Sequence, residues 1–149
     1  MCIRDRNPTQ LYTELWRETN ALYEDWARKH GLSYYELLVI LSLSEKDMVH
    51  TQKNICRRWQ LPKQTVNSIL KNFIGRDWVV LVPSAEDKRN KVIVPTKEGK
   101  SVIHKVSSQL AQDEKNAWKA LGKKHADALL TGITLYNRFF QEVLTREDT

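Results

Sequence analysis

The sequence predicts a mainly α-helical fold that carries one small β-hairpin. Over most of the 149 residues, apolar side chains recur at intervals of three and four, which places them on one face of an α-helix. The period changes to two only between residues 78 and 94, where β-branched residues dominate. An apolar content of 41% is enough to build a core. No stretch approaches the roughly 18 apolar residues of a membrane span, and no secretory signal opens the chain, so we expect a cytoplasmic protein.

Local sequence signals predict where the first helix ends and where the second begins. Leu11, Leu15 and Leu22 lie on one side of a first helix, and Gly31 stands where a helix ends with a left-handed residue. Ser33 and Glu36 have the spacing of a capping box, which starts a second, apolar helix. Residues 1–7 show no periodicity and no cap, so we expect a disordered or non-native leader there.

Two short helices follow, separated by a tight connection. Thr51 can cap a third helix that runs to about Trp59, and Pro62 fits the first position of a fourth helix. The fourth helix has an unbroken apolar stripe at positions 66, 69, 70 and 73. Its opposite face is polar. A helix with this division can pack its apolar face on the core of the domain and use its polar face to bind a partner.

The rest of the chain is predicted as a hairpin and two long helices. Residues 78–82 and 91–94 form the strands, and a charged turn joins them. Thr96 caps a fifth helix, and Gly122 separates it from a sixth helix. The sixth helix carries too many large apolar residues for a small monomer to leave in water, so we predict a homodimer.

The positive charge of the chain is concentrated in its middle third. The net charge is +6, and residues 51–100 alone hold 11 Lys/Arg against 4 Asp/Glu. Helix, turn, helix and hairpin in this basic segment predict a winged helix-turn-helix, whose fourth helix fits the major groove of double-stranded DNA. A cationic hairpin tip can enter the minor groove. The candidate DNA-binding residues are Thr51, Lys53, Lys63, Gln64, Thr65, Asn67, Ser68, Lys71, Asp87, Lys88, Arg89 and Lys91.

Three motifs resemble the MarR (multiple antibiotic resistance regulator) family. The stretch 61–67, LPKQTVN, resembles the start of that family's recognition helix, and 87–91, DKRNK, followed by 95–99, PTKEG, resembles its wing signature. Gly31-Leu32-Ser33 before a leucine-rich helix also matches. The resemblance covers about residues 8–146. One departure is Pro95, where the family usually has Leu.

The resemblance implies a homodimeric transcriptional regulator, with a ligand-responsive repressor as the expected role. Residues 8–32 and 97–146 would form a helical dimerisation region, and 33–96 the DNA-binding domain. It further implies that Asp87 orients Arg89, and we expect their side chains to pair across the turn. A small phenolic or other apolar acid would be the effector, with a candidate pocket at Trp16, Trp26, Tyr34 and Tyr35. The candidate dimer interface comprises Leu11, Leu15, Leu129, Ile133, Tyr136, Phe140, Val143 and Leu144.

Other functions are predicted less well by the sequence. A winged-helix module that docks on protein or RNA, without an operator, stays open as the alternative. No phosphate loop or nucleophile motif favours an enzyme, and the four histidines lack the paired spacing of a zinc site, so we predict no metal and no cofactor. Cys56 is interpreted as a partly buried apolar residue on the third helix.

Overall fold

A computed structural model describes residues 7–87 and 89–148, and it confirms the predicted fold class. Within these residues the chain forms six helices and one two-stranded antiparallel sheet. In chain order the elements are α1 (Pro8–Lys29), α2 (Tyr34–Leu43), α3 (Gln52–Trp59), α4 (Lys63–Gly75), β1 (Val79–Pro83), β2 (Lys91–Pro95), α5 (Lys97–Leu121) and α6 (Lys123–Glu147).

Helix α1 is closed at both ends by local hydrogen bonds. The Asn7 side chain accepts a bond from the Thr9 amide at 3.0 Å. Residue 7 belongs to the predicted leader, but in the structure its side chain satisfies an amide that the first helical turn leaves open. The rest of the predicted leader lies outside the described residues. At the other end Gly31 adopts φ +76°, as predicted, and the Leu32 amide bonds back to the Ala27 carbonyl at 2.9 Å.

Helix α2 forms the centre of the core. The predicted capping box is present, since the Ser33 amide donates to the Glu36 carboxylate at 2.9 Å and the Glu36 amide donates to Ser33 Oγ at 3.1 Å. Six of the ten residues of α2 are buried, so the helix is covered on nearly every side. Within this core, Trp59 Nε1 donates to the buried Ser42 hydroxyl at 2.6 Å, which ties α3 to α2.

The connection between α3 and α4 differs by one residue from the prediction. Pro62 has ψ 142°, which is extended, so it caps α4 from outside and the helix begins at Lys63. Its carbonyl accepts the Val66 amide at 3.2 Å. The ring of Pro62 still suits this place, because an amide there would have no partner inside the helix.

The hairpin is anchored to the start of α3. Strands β1 and β2 pair in register from Val79 with Pro95 to Pro83 with Lys91. On the other edge of β2, the Ile93 amide donates to the His50 carbonyl at 2.8 Å. Val79 and Ile93 are buried in the core. The base of the hairpin therefore has a fixed position beside α3.

The chain divides into two compact units between Ser107 and Ser108, inside α5. The first unit contains α1 to β2 and the start of α5, with a core that includes Leu37, Ile40, Ile55, Val66, Phe73, Val79 and Ile93. The second unit contains the end of α5 and all of α6. Among the described residues, no helix combines the length and the apolar character that crossing a membrane would require.

Candidate nucleic-acid interface

A groove of about 720 Å³ lies between α3, α4 and the hairpin. Its polar lining contains six cationic side chains and, among the described residues, no carboxylate. The cations are Lys53, Arg57, Lys63, Lys71, Arg89 and Lys91. Six positive charges on one concave surface attract a polyanion and repel cations.

Helix α4 forms one wall of the groove and presents a polar face beside it. Val66, Ile69, Leu70 and Phe73 are buried, which confirms the predicted stripe. The residues between them point outward because the helical period turns them away from the core. Gln64, Asn67 and Ser68 are exposed and Thr65 is half-buried, so amide and hydroxyl groups lie along the outer side of a well-anchored helix.

Two hydrogen bonds hold the walls of the groove together. The Gln52 side chain, at the start of α3, donates to the Lys63 carbonyl at the start of α4, at 3.0 Å. The second is the bond from the Ile93 amide to the His50 carbonyl, which fixes β2 to the segment just before α3. The bond to β2 joins two backbone groups, whereas the bond between α3 and α4 is donated by the Gln52 side chain.

The hairpin tip is ordered by Asp87, although not in the predicted way. The Asp87 carboxylate accepts the Arg89 amide at 3.0 Å and the Asn90 side-chain amide at 3.4 Å. Within the described residues, no ion pair joins Asp87 to the Arg89 guanidinium. The expected side-chain pairing is therefore not formed. The reason is local: an aspartate readily bonds the amide two residues ahead, and that bond occupies the carboxylate.

Seven of the predicted DNA-binding residues line the groove, namely Thr51, Lys53, Lys63, Asn67, Lys71, Arg89 and Lys91. Gln64, Thr65 and Ser68 lie outside the groove on α4, and Asp87 lies in the turn of the hairpin. Lys88 lies outside the described residues.

The sequence prediction missed Gln52, Arg57 and Asn90, which also line the groove. Arg57 is four residues after Lys53 on α3, and this spacing places both on one face of the helix. That spacing was the signal in the sequence that could have identified Arg57. The neighbouring residue, Arg58, has the same charge but does not line the groove.

The four aromatic residues of the predicted effector pocket do not line this groove. Trp16 is 56% exposed and Tyr35 is 48% exposed, while Trp26 and Tyr34 are half-buried. Trp26 stacks on His30 at 3.8 Å between ring centroids. Burial raises the pKa of the Tyr34 hydroxyl, and the nearby carboxylate of Glu24 raises it further. The Tyr34 side chain is thus half-buried and lies close to Glu24 of α1.

The predicted dimer residues are mostly exposed in the single chain. Leu15 is 51% exposed, and Phe140, the most exposed of the α6 set, is 52% exposed. Within residues 123–147, which the structure describes in full, α6 buries no side chain. The remaining predicted positions on α6 behave alike: Leu129, Ile133, Tyr136, Val143 and Leu144 are all exposed. Leu11 is half-buried.

Cys56 is half-buried, as interpreted from the sequence, and it lies on the groove side of α3. Across residues 7–87 and 89–148, no three His, Cys, Asp or Glu side chains come close enough together to hold a metal ion.

Comparison with known proteins finds a family model that covers every described lining residue of the groove except Lys91 and Ile93. The model of the MarR family matches residues 30–90. Among curated proteins, the HTH-type transcriptional regulator SarZ of Staphylococcus haemolyticus is 28% identical over 100 residues, which is 65% of this chain and 67% of that protein. SarZ of Staphylococcus epidermidis is 27% identical over 90 residues, which is 60% of each chain. This chain thus aligns with about three fifths to two thirds of the length of these relatives.

Solved structures share the fold over a longer range. A MarR family regulator from Neisseria meningitidis superimposes with a TM-score of 0.79 and 19% identity, covering 95% of this chain and 99% of that one. Apo MarR from E. coli gives a TM-score of 0.68 and 14% identity, covering 88% and 96%. At such low identity these two similarities concern the fold.

Proposed function

We propose that this chain, whose residues 30–90 match the model of the MarR family, is a transcriptional regulator of that family that binds a pseudo-palindromic duplex operator as a homodimer. The observation that carries the proposal is the groove with six cations and no carboxylate among its described lining residues, beside the polar face of α4. A duplex carries one phosphate charge per roughly 1.7 Å of its axis, so a carboxylate-free cationic groove suits it as a partner.

The exposed face of α4 supplies the groups that sequence recognition requires. Helix α4 would enter the major groove, where each base pair presents a distinct pattern of donors and acceptors. Asn67 and Gln64 carry amides that can pair with an adenine edge, and Lys63 and Lys71 can reach phosphates or guanine. The hairpin would place Arg89 at the minor groove, where the negative potential is strongest over narrow A·T stretches.

The exposed apolar face of α6 supports the homodimer. Ile133, Tyr136, Phe140 and Val143 follow one another at intervals of three and four, so they form a continuous stripe. Each is between 37% and 52% exposed in the single chain. A stripe of this kind favours association with another stripe of the same sequence, which is the arrangement of a two-fold interface. Leu15 of α1 adds a second exposed apolar position.

We further propose that the protein represses transcription and that an apolar acid relieves the repression. The half-buried Trp26 and Tyr34 offer an aromatic surface with a neutral hydroxyl, which suits a small phenolic or aromatic carboxylate. Trp16 and Tyr35 are largely exposed and are weaker candidates for this site.

A binding comparison at matched salt tests the function against its alternative. The full chain is titrated with a duplex of about 30 base pairs and with single-stranded RNA of equal length. We expect tighter binding of the duplex and, after selection from a random library, preference for a particular sequence. Gln64→Ala or Asn67→Ala should relax that preference at individual positions. Equal loss of affinity for every sequence would contradict base reading, and tighter RNA binding would favour the RNA-docking alternative.

Deletion of residues 130–149 tests the dimer. We expect the deleted chain to lose both self-association, measured by analytical ultracentrifugation, and DNA binding, since each half-site alone provides too few contacts. A truncated chain that stays a stable, DNA-binding monomer would contradict the proposal.

A further inference from the structure

We propose that the groove between α3, α4 and the hairpin holds one sugar–phosphate strand of the duplex, and that Arg57 is a phosphate-binding residue on its α3 wall. The inference rests on the proposed function, since it concerns how the same surface binds DNA.

The path of the strand follows from the shape of DNA. If α4 lies in the major groove and the hairpin tip lies in the minor groove, one sugar–phosphate strand must pass between them, because that strand is the ridge that separates the two grooves. The space between α4 and the hairpin is the groove of about 720 Å³. Its third side is α3, so the strand that enters it meets α3 directly.

The charges are distributed over all three walls of the groove. Lys53 and Arg57 lie on α3, Lys71 on α4, and Arg89 and Lys91 on the hairpin. All five are exposed. A phosphate strand running between these walls would have cations on each side, and the absence of carboxylates among the described lining residues removes the main source of repulsion.

Part of the apolar lining of the groove suits the sugars. Ile74 and Leu81 line the groove and remain 41% and 37% exposed, although both side chains are large and apolar. The deoxyribose units of a DNA strand present carbon atoms between successive phosphates, and they can cover these side chains. An occupant with alternating anionic and apolar groups fits a groove lined by both cationic and apolar side chains better than a free inorganic anion does.

Arg57 and Arg58 provide a natural contrast. Arg57 lines the groove, and within the described residues it forms no ion pair. Arg58 is paired with the carboxylate of Glu45, and its guanidinium lies 5.0 Å from the centre of the Trp59 ring. The two residues are adjacent and equally charged, but only one of them faces the proposed strand. Replacing either with Ala changes the net charge by the same amount.

The test measures the affinity of wild type, Arg57→Ala and Arg58→Ala for one duplex of about 30 base pairs over a range of salt concentrations. We expect Arg57→Ala to bind roughly tenfold more weakly, as for loss of a charge-assisted hydrogen bond. It should also reduce the slope of log affinity against log salt by about 0.9, which corresponds to one phosphate contact. Arg58→Ala should keep the wild-type slope. Circular dichroism and ultracentrifugation confirm that both variants fold and associate as the wild type does.

A modified duplex locates the contact. Single methylphosphonate groups, which lack the charge, are introduced at successive phosphates. We expect Arg57→Ala to become insensitive to neutralisation at a phosphate on the strand between the major-groove and minor-groove contacts, while Arg58→Ala stays sensitive at that site. Equal effects of the two variants on slope and interference would overturn the inference and leave the proposed function intact. Failure of the wild type to bind any duplex would overturn both.

Discussion

Gly99 is predicted to stabilise the junction between the hairpin and α5, because no larger residue fits there without movement of the backbone. A Cβ atom added at Gly99 would lie 1.7 Å from the backbone oxygen of Trp78 and 2.6 Å from its carbonyl carbon. Contacts of this kind below 3.0 Å essentially do not occur in proteins. Gly99→Ala therefore requires the start of α5 and the backbone before β1 to move apart by at least the difference between 3.0 and 1.7 Å, which is 1.3 Å.

That displacement would break a small set of hydrogen bonds around Thr96. The Thr96 hydroxyl accepts the Gly99 amide at 2.9 Å and donates to the Asp77 carbonyl at 2.6 Å. The Thr96 amide donates to the Trp78 carbonyl at 2.9 Å. Loss of the cap costs about 1 kcal/mol, and forced movement of packed groups costs about 1–3 kcal/mol. The better helix propensity of Ala returns about 1 kcal/mol, so the net loss is about 1–3 kcal/mol.

Thermal unfolding followed by circular dichroism at fixed protein concentration measures this loss. For a chain of this size, about 1–3 kcal/mol corresponds to a fall in Tm of roughly 3–9 °C. Gly75→Ala is the matched control, because a Cβ atom there meets nothing within 4 Å. We expect the control to be unchanged or slightly more stable. A Gly99→Ala protein that is as stable as the Gly75→Ala protein would refute the steric argument.

Two further predictions concern charged side chains. Asp87→Ala should weaken duplex binding, although it removes a negative charge beside DNA, because it frees the Arg89 amide and loosens the hairpin tip. Fluorescence anisotropy measures the affinity. Tighter binding at every salt concentration would show that Asp87 has no role in ordering the tip. A hydrogen bond from Arg58 lowers the pKa of the Glu45 carboxyl. The pair of Glu45 and Arg58 therefore contributes fully to stability above the ordinary glutamate pKa, and this contribution is lost as pH falls through the lowered pKa. Urea midpoints at about pH 7 and about pH 3 should therefore change less for Glu45→Gln than for wild type, and parallel changes in the two proteins would contradict this.

Local signals explain why so much of the fold was predictable. The capping box of Ser33 and Glu36, the left-handed Gly31 and the Thr96 cap each depend on residues within three or four positions, and periodicity locates the buried face of α4. The first residue of a helix is harder to predict, by about one position. Pro62 illustrates this, because proline fits both the N-cap and the first helical position.

The candidate site was only partly predictable because it depends on contacts between distant residues. In the sequence, only the spacing of four residues from Lys53 distinguishes Arg57 from Arg58. In the structure, Glu45, two residues after the end of α2, pairs with Arg58, while Arg57 lines the groove. In the same way, the sequence places Asp87 near Arg89 but does not say whether its carboxylate bonds the guanidinium or the backbone amide.

Selection of bound duplexes from a random-sequence library tests the central claim most directly. The full chain is used, and enriched sequences are compared with those obtained for Asn67→Ala. We expect a pseudo-palindrome whose two half-sites lie about one helical turn apart, roughly 10 base pairs, and a loss of preference at defined positions in the variant. A library with no enriched sequence, or an enriched motif that lacks two-fold symmetry, would contradict the claim that this protein binds an operator as a symmetric dimer.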